Sequence, residues 1–149
     1  MTQEQKDLLL KDLCGRLPYG VKCIVTHSRT ESGQKGDCGK LITICPEGID
    51  CLDDEGVFFS EFGDFKPYLF PLSSMTKEQY EEWCDLEAEP LDEILTRNAN
   101  GEKMSTLEHH LLIAKSLTEP VNYCYKNHFD IYGLIPMGLA IDATNKNIY

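Results

Sequence analysis

Residues 65–83, FKPYLFPLSSMTKEQYEEW, constrain the fold most, because the hydrophobic period changes inside them. Before this stretch, apolar residues come in short runs separated by turn signals; after it they recur at helical spacing. The switch falls at Thr76. Gln79 follows three residues later, which completes a capping box, and Met75 and Tyr80 occupy the two positions of a hydrophobic staple around it. The spacing therefore predicts a helix from Lys77, preceded by β structure.

The short runs read as strands. Residues 19–26 place Val21, Cys23 and Val25 on one face. Residues 40–45 are rich in β-branched side chains and end at Pro46 and Gly48, residues 49–52 form a short third run, and 57–62 a fourth. Residues 65–72 make a fifth, with Pro67 and Pro71 favouring an edge position. No crossover helix separates them, so an antiparallel sheet is expected, curled or barrel-like. Residues 27–39 are polar and glycine-containing, as in a long loop.

Helices are expected on either side of this β region. Residues 3–14 offer Leu9, Leu10 and Leu13 on one side and a stop at Gly15. After Lys77, Tyr80, Trp83 and Cys84 form an inward side, with Pro90 breaking the helix and residues 91–95 adding a short turn. Ser105 and Glu108 cap the next helix, whose apolar side is Leu107, Leu111, Ala114 and Leu117. Pro120 marks a fresh start, and the tail from Asp142 is expected to fray. The fold class is thus α+β: one domain over residues 1–149, a small antiparallel sheet flanked by an N-terminal helix and C-terminal helices.

Composition narrows the function classes. The 149 residues carry a formal charge of −11, unevenly placed, because residues 47–93 hold fifteen Asp or Glu against Lys66 and Lys77. That field repels phosphates, which disfavours nucleic acid, and suits a basic partner or plain solubility. The seven cysteines are an odd number, spread singly, with no Cys-x-x-Cys pair. With no apolar run long enough for export or membrane spanning, they read as free thiols in a cytoplasmic protein.

Three strings, DLCGRLPYGV at 12–21, KPYLFPLSSMT at 66–76 and HFDIYGLIPMGLA at 128–140, resemble a family of small proteins of gut Bacteroidales and their phages that has no established activity. The resemblance implies a shared fold and an accessory role on a mobile element or in its host, by binding or inhibiting another protein. The family pattern carries Arg at the position of Phe70 and Tyr-Arg at the positions of Ile131 and Tyr132, so an anionic site built on those arginines does not carry over.

No motif signals catalysis, a metal or a cofactor. Cys124 and His128, four apart on an expected helix, with His109 or His110 nearby, are the best zinc candidates, but two ligands do not specify a site. Cys38, Cys45 and Cys51 lack knuckle spacing, and Asp53, Asp54 and Glu55 miss the alternation of a calcium loop. Two binding surfaces remain. Phe65, Tyr68 and Phe70 on the expected edge strand are candidate partner-binding anchors. Arg16, Lys22, Arg29, Lys35 and Lys40 are candidate contacts for a small anionic ligand such as a nucleotide. A non-catalytic protein-binding role is the expectation, with anionic-ligand binding as its alternative.

Overall fold

The structure is a computed structural model that describes residues 1–27 and 33–149. The chain divides into two compact units, one made of Met1–Ser74 with His128–Tyr149 and the other of Met75–Asn127.

The first unit is built on a sheet. Helix α1 (Gln3–Arg16) starts at Thr2, whose hydroxyl accepts from the Gln5 N–H in a full capping box. Strands β1 (Lys22–Val25), β2 (Cys38–Ile44), β3 (Gly48–Leu52), β4 (Val57–Glu61) and β5 (Phe65–Leu69) follow, and β6 (Ile141–Asp142) closes the set. Their order is β4-β3-β2-β1-β5-β6. All neighbours from β4 to β5 are antiparallel, as the alternating sequence pattern predicts. The pairing of β6 with β5 is parallel, which makes the sheet mixed rather than purely antiparallel. Sequence gave no sign of this, because two residues are too few to show a period.

The sheet is open, not a barrel. Yet β4 lies at one edge and β5 beside β1 on the far side of β2, with only Phe62, Gly63 and Asp64 between them. Four peptide steps span at most about 14 Å, so the sheet must bend until these strand ends meet. One face then encloses the core. Leu9 and Leu13 of α1 pack there with Val21, Cys23, Val25, Leu41, Cys51 and Phe58. Phe58 lies so close over Gly39 that a Cβ there would stand 2.8 Å from its ring. A bulge between Leu41 and Thr43 shifts the β2 register and leaves Ile42 exposed.

Residues 128–149 return to this unit and do not fray. Phe70 donates its N–H to the His128 carbonyl, Asp130 donates to the Phe70 carbonyl, and Ala143 donates to that of Leu69. The Tyr149 hydroxyl donates to the Tyr68 carbonyl at 2.8 Å and accepts from the Lys22 N–H at 3.2 Å, taking the place of a rung between β5 and β1. The Asp130 carboxylate accepts from the N–H groups of Leu134 and Ile135.

The second unit is a helical hairpin of α2 (Lys77–Ala99) and α3 (Thr106–Lys126). Both helices begin in capping boxes, at Thr76 with Gln79 and at Ser105 with Glu108. Pro90 does not end α2 and Pro120 does not restart α3; both sit inside continuous helices. A proline in a helix interior costs about 3 kcal/mol, so side-chain packing must offset it. Both prolines are buried together with Ile94, Ser116 and Tyr123. The Tyr123 hydroxyl donates to Glu82, and Arg97 lies 3.8 Å from Glu108, which fixes the helices as antiparallel. Among the described residues no helix is long and apolar enough to cross a membrane.

The deepest polar contact of the sheet unit joins its two ends. Arg16 and Asp12 are both fully buried, paired at 2.6 and 2.8 Å, and Arg16 also donates to the Phe129 carbonyl at 2.6 Å. Removing one charge strands the other in a dry interior. Arg16→Met is therefore expected to cost roughly 3–5 kcal/mol in urea unfolding, whereas Asp12→Leu with Arg16→Met recovers most of it. Costs that simply add across the two substitutions would show that the pair is not coupled.

Candidate functional site

The aromatic anchors expected at the edge lie within the sheet unit. Phe65 and Tyr68 are buried and Phe70 is half-buried, its ring 6.5 Å from Phe129 and 5.8 Å from Tyr149. Strand β5 is paired with β1 and, at Tyr68 and Leu69, with β6, and Phe70 bridges to Phe129 beyond it, so the strand is covered on both sides from Tyr68 onward. Pro67 lies opposite Cys23 on the β1 side and, among the described residues, has no strand partner on its other side, so the edge position that suits a residue without an N–H holds at this point.

The basic candidates scatter. Arg16 is committed to Asp12 and Phe129 in the interior. Arg29 lies outside the described residues, and Lys35 is exposed in the turn before β2. Lys22 and Lys40, however, face each other directly across β1 and β2. Lys66 sits opposite Ile24, two residues along the same face from Lys22. Three lysines thus share one side of the sheet, and the aliphatic stem of Lys40 crosses over Gly20. Lys66 escaped the sequence reading because only strand register brings it to the others.

Helix α3 ends at Lys126, and His128 has a left-handed backbone (φ 59°), so the shared helical face expected of Cys124 and His128 is lost. His109 and His110 are exposed. Among the described residues no group of three or more His, Cys, Asp or Glu side chains could hold a metal ion. The Asp53 carboxylate accepts the N–H groups of Glu55 and Gly56, which employs it in closing the β3–β4 turn.

The largest departure from expectation is in the hairpin. The apolar side assigned to α3 is not buried: Leu107, Leu111 and Leu117 are 69%, 59% and 68% exposed. Leu95 on α2 is 65% exposed, and Leu91, Ile113 and Val121 also reach solvent. Tyr80, expected to point inward, is exposed and stacks on Trp83 with ring centres 6.1 Å apart. The seam between the helices is built instead by Pro90, Ile94, Ser116, Pro120 and Tyr123.

These exposed residues bear a simple relation to the seam. Leu91 and Leu95 each follow a seam residue of α2 by one position, and Leu117 and Val121 do so on α3. One position is a 100° rotation in the same sense along each chain. Because the helices are antiparallel, that rotation turns both stripes toward the same side of the hairpin. The acids Glu78, Glu82, Asp85, Glu89 and Glu93 of α2 occupy the other side. The hairpin thus has one apolar face and one acidic face.

Comparison with known proteins finds no family model that matches the chain and no similar curated protein or solved structure.

One buried titratable group gives the sheet unit a pH dependence. His128 is 8% exposed, stacks on Tyr149 with ring centres 4.1 Å apart, and its Nδ1 has no hydrogen-bond partner among the described residues. Burial, and secondarily the Arg16 charge, lower its pKa from 6.5 to about 4. The unfolded chain therefore binds the proton first as pH falls. His128 contributes fully above pH 6.5, and that contribution is lost between about 6.5 and 4. Urea titrations are expected to show this slope in the wild type and not in His128→Asn, which tolerates the left-handed backbone.

Proposed function

We propose that this is a non-catalytic protein of the cytoplasm that works by binding another polypeptide through the apolar face of the α2–α3 hairpin. The observation that carries this reading is the row of large aliphatic side chains left in solvent on one side of that hairpin. Exposed apolar patches rimmed by polar residues mark interaction sites on stable proteins. Burial of these side chains supplies about 25 cal/mol per Å² removed from water, which is ample for a specific contact. The accessory role implied by the family resemblance agrees with it.

A photo-crosslinking residue placed at Leu117 is expected to give protein adducts in cells, and the same residue at Asp85, on the acidic face, is expected to give few. Equal yields from both positions would sink the reading.

The three lysines favour a second reading, binding of a small anion on the sheet. Like charges directly opposite in a ladder are destabilising, and Lys22 with Lys40 is such a pair in a chain of net charge −11. A bound phosphate or carboxylate would relieve it. Inorganic phosphate or a nucleotide is expected to raise the thermal midpoint saturably, and Lys22→Gln with Lys40→Gln to abolish the effect. A flat response across such compounds removes this reading.

A further inference from the structure

Resting on the hairpin face as the binding surface, we infer that its occupant is a second copy of this chain, the two hairpins meeting face to face as a four-helix arrangement. The area is adequate. The exposed aliphatic side chains that the rotation places on or beside the face, Leu91, Leu95, Leu107, Ile113, Leu117 and Val121, leave roughly 600 Å² per copy, so that two copies together clear the roughly 1,000 Å² a specific interface needs.

The dimensions match as well. The stripe on α3 runs from Leu107 to Val121 and that on α2 from Tyr80 to Leu95, so each covers about 21–23 Å at 1.5 Å per residue. Two such faces can cover one another without overhang.

Charge selects the orientation. Helix α2 carries eight acids against Lys77 and Arg97, whereas α3 balances Glu108 and Glu119 with Lys115 and Lys126. A two-fold arrangement that sets α2 of one copy against α3 of the other keeps the two acidic helices on a diagonal. Pairing α2 with α2 would put the acidic rows side by side. The residual repulsion predicts association that tightens several-fold at high salt, because screening acts on the acids while apolar burial persists. An interface held by opposite charges would loosen instead.

The test is sedimentation equilibrium of the full chain, combined with the emission of a Leu117→Trp reporter in a Trp83→Phe background. The expected result is a dimer with blue-shifted emission. Leu95→Glu with Leu117→Glu is expected to weaken association about 100-fold or more while leaving the circular dichroism and urea midpoint unchanged, since both positions are exposed in the single chain. A wild type that stays monomeric at about 100 μM overturns self-association. If the reporter is then red-shifted, the face is open and a different protein remains its partner; if it is blue-shifted, the face is covered within the chain and the protein-binding reading falls too.

Discussion

The buried pair of Asp12 and Arg16 is the contact on which the sheet unit depends. It lies on the last turns of α1, and through the Phe129 carbonyl it reaches a segment more than a hundred residues away. That carbonyl belongs to the strand-like stretch that also pairs with Phe70 and leads into the Asp130 turn. An arginine with no exposed surface is costly to desolvate, and it persists only where its donors are met. Burial raises the Asp12 pKa, and the hydrogen bond and charge of Arg16 oppose that rise. The same pair therefore fixes α1 on the sheet and closes the first and last segments of the unit together.

The two units solve different packing problems. In the sheet unit, α1 and the 128–149 return enclose a cluster that includes Leu9, Leu13, Leu41, Ile49, Leu69 and Leu134. The hairpin encloses little: its seam uses two prolines, a serine, an isoleucine and a tyrosine. Most of its leucines stand outside that seam. A pair of helices joined by a short loop cannot bury two apolar stripes when only one seam is available. The seam takes one side of each helix, and the stripe rotated by 100° is left over. That surplus adds nothing to the stability of the hairpin itself while it stays in water.

Several reactive side chains of the sheet unit are held in packed surroundings. Cys23 and Cys51 are neighbouring buried thiols with Cys38 close by, and the hydrogen bond between the first two together with burial pushes the Cys23 thiol well above its usual range, which suppresses the reactive thiolate. His128, whose pKa burial lowers, is sealed beneath Tyr149. The buried polar groups act as struts, and the exposed apolar stripes lie on the hairpin.

Local signals were legible without any structure. The capping boxes at Thr76 and Ser105 fixed two helix starts, because a cap needs only residues within one turn of each other. Alternation and turn residues located five strands, because each pattern is complete within a few residues. The helix ends at Pro90 and Pro120 were misread, since tertiary packing can outweigh the local cost of a proline. Beyond that, only the fold could decide. Arg16 reads as a surface cation until Asp12 and Phe129 enclose it, Lys66 joins Lys22 and Lys40 only through register, and the leucines of α3 read as core until the seam forms on another side. Periodicity shows that a helix has an apolar side; which side another element covers depends on contacts between residues far apart in the chain, and no local pattern encodes them.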